Sequence, residues 1–274
     1  NRAILDWISK APPGADHAQT REKGKLNREY AGAGQWLFSS AEFVHWSTTT
    51  DISLPIFWLC GPGTLGLIQP ARYSCLVIEK YLEGPHIPGS NAERIAYFYC
   101  TRKQGQQEES SPQAILQSLV RQLAWAMDDL SIAKIVKERY QRAQRLEGYG
   151  KSELSVEDCV DLLTQLIADH QHTIVIVDAL DECADPDMLL LCLKRIHSSC
   201  ADRLRLFVSS RMHIGVQHIF SEPIRTEIGR ENRGDMDFYI RTEVEANKWR
   251  LEQCNAGDLA STLMGLLSSR AQGM

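Results

Sequence analysis

Ten consecutive residues, Thr173-Ile-Val-Ile-Val-Asp-Ala-Leu-Asp-Glu182, restrict the architecture of this chain more than any other stretch. Ile174, Val175, Ile176 and Val177 are β-branched, apolar and uncharged, which suits a strand covered on both faces rather than one face open to water. Such a strand belongs in a parallel sheet sandwiched between helices. Three carboxylates follow at once: Asp178, Asp181 and Glu182. Acids released at the carboxyl end of a buried parallel strand are how open α/β sheets build phosphate and metal sites. One acid can hold Mg²⁺ through water, and later ones can hold the metal or orient an attacking water. A core strand ending in a solvated acidic turn explains the same residues without chemistry, so the remaining chain must decide.

The rest of the pattern alternates strand with helix. Pro55 opens a strand over Ile56–Cys60, which runs into a glycine-rich turn starting at Gly61. A helix is predicted over Tyr73–Leu82 and a second strand over Ile95–Cys100. After a polar loop, Ser111 serves as N-cap and Pro112 as first residue of a helix whose stripe is Ile115, Leu116, Leu119, Val120 and Leu123. A more polar helix covers about 130 to 146. Ser155, with Asp158 three residues on, forms an approximate capping box for a helix facing inward through Cys159, Leu162, Leu163, Leu166 and Ile167. Asp185-Pro186 starts another helix, Leu204–Ser209 forms a fourth strand ending at Ser210-Arg211, and a short fifth lies near Ile224–Ile228. The fold class expected is α/β, a five-stranded parallel sheet flanked by helices.

Before the first strand lie two apolar islands, Ile4–Ile8 with Trp7, and Gln35–Trp46 with Trp36, Leu37, Phe43 and Trp46. Left in water, these side chains would form an apolar patch, so they are expected to dock on the sheet. Beyond Gly229 two helices, over 235 to 249 and 258 to 270, come with no strand between them. The organisation expected is an aromatic leader (1–50), the sheet domain (51–228) and the start of a helical domain (229–274).

Bulk properties exclude several classes. A chain of 274 residues with net charge −5 gives no support to a nucleic-acid surface or a polybasic membrane anchor. The longest uncharged stretch, Ile52 to Ala71, is broken by Pro55, Pro62 and Pro70, so no membrane span is expected. No signal-peptide pattern is visible at the start of the given sequence, and a cytoplasmic location is expected. Eight scattered cysteines, without a C-x-x-C pair or a His at metal spacing, suit reduced thiols better than disulfides or a zinc site. The chain starts at Asn1 rather than Met and is expected to be part of a longer protein.

A phosphate loop places G-x-x-x-x-G-K-[ST] between a strand and a helix, with backbone N–H groups around the phosphates, Lys neutralising them and the hydroxyl on Mg²⁺. Here Gly61-x-x-x-x-Gly66 has the right spacing and follows a strand, but Leu67 and Ile68 stand where Lys and Ser or Thr belong. Arg211, at the end of the fourth strand, can reach a γ-phosphate; a surface pair with a neighbouring acid is the alternative.

The chain resembles the NACHT-type signalling NTPases of the STAND class, in the form common in filamentous fungi and described as a nephrocystin-3-like N-terminal domain. The resemblance is carried by Gly34-Gln-Trp-Leu-Phe38 through Phe43 and Trp46, by Phe57-Trp-Leu-Cys-Gly61, Leu76-Val-Ile-Glu79 and Ala96-Tyr-Phe-Tyr99. It continues through Ile115–Leu123, Ile176-Val-Asp-Ala-Leu-Asp-Glu-Cys183 and Phe207-Val-Ser-Ser-Arg211. Of these the acidic motif, with small Ala179 between Asp178 and the Asp181-Glu182 pair, is the most specific.

The resemblance implies a P-loop NTPase fold and a nucleotide-dependent switch of the NLR-like kind, loaded with ATP or GTP and Mg²⁺. It further implies self-oligomerisation through the NTPase domain, with effector and repeat domains outside this segment. Carried over position by position, Asp178 holds Mg²⁺, Asp181 and Glu182 serve metal and water activation, and Arg211 senses the γ-phosphate. Gly61, Gly63 and Gly66 line the phosphate loop, while the family's Lys and Thr have no counterpart. The segment from Gly61 to Leu76 is also longer than the family's, and Pro70 is expected to shorten the following helix. Either a degenerate pseudo-NTPase scaffold or a local reading-frame error accounts for this. Hydrolysis is expected to be weak or absent in the chain as it stands.

Overall fold

The computed structural model of the chain describes residues 1–10, 17–18, 20, 34–49, 56–61, 70–83, 93–102, 107–125, 131–146 and 153–229, with 234–235, 241 and 245 singly. In order, the elements are α1 (Arg2–Ile8), α2 (Gln35–Ser39), α3 (Ala41–Thr48), β1 (Ile56–Gly61), α4 (Pro70–Leu82) and β2 (Arg94–Tyr99). They continue with α5 (Pro112–Leu123), α6 (Lys134–Leu146), α7 (Val156–Ala168), β3 (Thr173–Asp178) and α8 (Pro186–Ser199). The last are β4 (Leu204–Arg211), α9 (Val216–Ile219) and β5 (Ile224–Glu227). The helices expected over 235 to 249 and 258 to 270 lie outside the described residues. Among the described residues no helix is long and apolar enough to cross a membrane.

All five strands run parallel, in the order β2-β3-β4-β1-β5. Parallel strands need covered faces, and β1 and β3 are buried at every position, as their uninterrupted apolar runs require. Edge strand β5 alternates buried with exposed instead. Because successive side chains leave opposite faces, each central strand feeds two cores. Trp58, Cys60, Val175, Val177, Leu206 and Val208 pack with α5, α7 and α8, whereas Phe57, Leu59, Ile174, Ile176 and Phe207 pack with α2, α3 and α4. Phe57 and Phe207, neighbours in register, stack with centroids 5.3 Å apart.

The helix starts follow their side-chain chemistry. The Ser111 hydroxyl accepts the Ala114 N–H at 3.2 Å, with Pro112 in the first turn. Ser155 and Asp158 form the reciprocal capping box, the Asp158 N–H reaching Ser155 Oγ at 3.1 Å. Asp185 Oδ1 accepts the Met188 N–H at 2.9 Å ahead of α8. Helix α4 departs from expectation. It begins at Pro70 instead of being shortened by it, since a proline at the first helical position lacks only an N–H that the helix leaves unused.

The two N-terminal islands dock on opposite faces of the sheet. Ile8 of α1 joins the α5–α7 core, held there by Arg121, whose Nη1 reaches the Ser9 carbonyl at 2.6 Å and also the Leu5 carbonyl. Leu37, Phe43 and Trp46 enter the other core fully buried. Trp46 alone meets Phe43, Phe57, Phe207 and Tyr81.

Candidate functional site at the carboxyl edge of the sheet

Three adjacent strands end together. Gly61 closes β1 opposite Arg211 of β4, and Asp178 closes β3 on the other side of β4. Gly63, Gly66, Leu67 and Ile68, which follow β1 in sequence, lie outside the described residues. Beside Gly61 the chain leaving β5 extends the ladder by one step, with the Ile228 N–H donating to the Cys60 carbonyl at 2.7 Å. Crevices outside the carboxyl ends of such strands are where open α/β sheets take their ligands.

Asp178 is only 2% exposed. Its Oδ1 accepts two hydroxyls, Ser209 Oγ at 2.5 Å from β4 and Ser74 Oγ at 2.6 Å from α4. Burial pushes its carboxyl up to about 6; the two serine hydrogen bonds oppose that rise, and the nearby Glu182 and Asp181 charges add to it. Its backbone carbonyl accepts the Cys100 N–H at 3.0 Å, which ties the end of β2 to the end of β3.

Directly after Asp178 the chain turns through Ala179 in the left-handed region (φ 52°, ψ 50°). This conformation costs an alanine ~1–2 kcal/mol, and it is fixed here by the Ala179 N–H donating to Ser209 Oγ at 2.9 Å. The reversal throws Leu180–Glu182 into one tight turn, so that Asp181 swings back toward β4. Asp181 Oδ1 accepts the Arg211 N–H at 3.1 Å, and its Oδ2 pairs with Arg211 Nε at 3.1 Å. Glu182 faces the other way, its Oε2 accepting the Arg102 N–H at 2.8 Å, while Arg102 Nη2 approaches the Asp181 carbonyl at 3.4 Å. Ser110 braces this loop by bonding both backbone polar groups of Thr101, and its carbonyl accepts the Ala184 N–H.

The structure thus brings Gly61, Asp178, Asp181 and Arg211 to one edge, with Glu182 turned toward the loop after β2. Sequence reasoning did not assign Ser74, Ser209 and Arg102 to the site. Ser74 carried one signal, a small hydroxyl within the otherwise apolar stretch Tyr73–Ile78. Ser209 and Arg102 carried none that a single sequence exposes, since their partners come from other strands.

This parallel sheet order, with acids released after β3 and a glycine-rich sequence following β1, is an α/β module with the P-loop NTPase fold. More particularly, the chain belongs to the family described as nephrocystin 3, N-terminal, whose profile matches residues 32–211. No curated protein matches the chain in sequence. Among solved structures, one titled "Structure of Drosophila ORC bound to AT-rich DNA and Cdc6" is 12% identical, with a TM-score of 0.37 over 92% of this chain and 83% of that one.

Proposed function

We propose that this chain is a nucleotide-dependent switch module that takes ATP or GTP with Mg²⁺ at the carboxyl edge of β1, β4 and β3. Hydrolysis by the chain as it stands is weak or absent. The observation that supports this reading most is the Arg211–Asp181 pair beside Asp178. Arg211 is half-exposed and is held by an acid that a bound γ-phosphate can replace, so phosphate binding and release of Asp181 are linked. Asp181 is then free for metal or for positioning water, and Arg211 reports the phosphate.

The donor set suits Mg²⁺ rather than a softer cation. Asp178 and Asp181, with the Ser74 and Ser209 hydroxyls beside Asp178, offer hard oxygen atoms at this edge, and Glu182 would join them by turning away from the Arg102 N–H. Asp178 is too buried for direct access and would hold the ion through water, with Asp181 next in line. When bound, the ion supplies positive charge against the phosphates, which the chain itself lacks at Leu67.

Leu67 and Ile68 set the affinity. A loop lysine makes charge-assisted contacts, and losing ~3 kcal/mol of them weakens binding about a hundredfold. The test is an equilibrium titration with a fluorescent ATP analogue and Mg²⁺ on the natural chain and on Leu67→Lys, Ile68→Thr. Weak binding that tightens about a hundredfold in the double variant and falls in Arg211→Ala supports the switch. Binding by neither protein means a scaffold that keeps the fold without the ligand.

A further inference from the structure

Cys75 and Glu79 sit one turn apart on α4, so both side chains leave the same side of that helix. His17, from the N-terminal part of the chain, comes to rest against them. One ligand atom from each of the three lies within 4.8 Å of the other two. His17 and Cys75 are buried and Glu79 is partly so.

The imidazole is held in orientation from the β2 side. The Tyr99 hydroxyl lies 2.9 Å from His17 Nδ1, and the Tyr97 and Tyr99 rings flank the imidazole at 5.1 and 6.1 Å between centroids. A hydrogen-bonding partner on one ring nitrogen fixes the tautomer and orientation of a metal-binding histidine, and Tyr99 is placed to be that partner.

We propose that His17, Cys75 and Glu79 bind one divalent cation of the zinc type, with the fourth position left to water. Thiolate, imidazole and carboxylate together select a borderline-soft ion and not Mg²⁺. Metal–ligand bonds of about 2.0–2.3 Å put tetrahedral donors roughly 3.3–3.7 Å apart, so the three groups need close by only about 1 Å. The spacing of cysteines and histidines along the sequence hides this site, because the histidine comes from a remote segment. Occupancy would staple the N-terminal part of the chain to α4. Cys75 adjoins Ser74, whose hydroxyl supports Asp178, so the two sites share a helix.

The test uses the purified full chain, stripped of metal and titrated with Co²⁺ as the optical probe. One equivalent is expected to produce a thiolate-to-cobalt charge-transfer band in the near ultraviolet, erased by one equivalent of Zn²⁺. Cys75→Ser removes the band, while Cys192→Ser, on α8, keeps it. Tyr99→Phe weakens Zn²⁺ binding by ~10–100-fold in chelator competition, and His17→Ala weakens it further. Circular dichroism on each variant separates a lost site from a lost fold. The proposal is overturned if the natural chain gives no such band, or if the band survives Cys75→Ser.

Discussion

Replacing Asp178 with Asn isolates what it costs to place an acid at the end of β3. In the folded protein this carboxyl titrates near 6, against an ordinary value of 3.8, and burial is the largest cause. The folded state therefore holds the proton more tightly than the unfolded chain does. Stability from this group is fully present below about pH 4 and is lost as pH rises through about 6. A shift of about two pH units at 1.36 kcal/mol each gives ~3 kcal/mol lost above pH 7. Asparagine resembles the protonated acid and keeps an oxygen that accepts from Ser74 and Ser209. Urea unfolding followed by tryptophan fluorescence should show equal stabilities near pH 4. The variant should gain ~2–3 kcal/mol by pH 7.5. Excess Mg²⁺ should narrow that gap by stabilising the natural chain alone. A variant no more stable than the natural chain at pH 7.5 refutes the reasoning, because the acid would then not be suffering from its burial.

Two further perturbations probe the frame around the site. Ala179→Val adds a β-branched side chain at a left-handed backbone position and should cost ~1–2 kcal/mol in urea unfolding, whereas Ala179→Gly should cost nothing. Trp46→Ala removes the ring that joins α3 to Phe57 and Phe207. It should cost ~3–5 kcal/mol, lowering Tm in calorimetry by roughly 10 °C.

Much of the sheet was legible because its strands are local signals. Ile174–Val177 and Ile56–Cys60 are apolar runs that no amphipathic helix would carry, and the observed strands differ from the predicted ones by a residue or two. Caps were legible for the same reason, since Ser111, Ser155 and Asp185 act on residues three positions away. Pro70 misled because the same residue breaks a helix interior and opens a helix start, and only the position of the first turn decides. That the two aromatic islands would dock was readable from their apolarity; that they take opposite faces was not, because it depends on where the chain crosses the sheet. The acids of the site were visible in one motif. Their partners were not, because the contacts Ser74–Asp178, Ser209–Asp178 and Arg102–Glu182 join residues far apart in sequence.

The most direct test of a nucleotide site at this edge is the thermal unfolding of the full chain with and without Mg²⁺-ATP, beside Leu67→Lys, Ile68→Thr. Ligand at about a hundred times its dissociation constant adds ~2.7 kcal/mol, which for a domain of this size raises Tm by roughly 5 to 10 °C. The account predicts that rise, at lower nucleotide concentration in the double variant, and its loss on Asp178→Ala. No rise in either protein at any nucleotide concentration would contradict it.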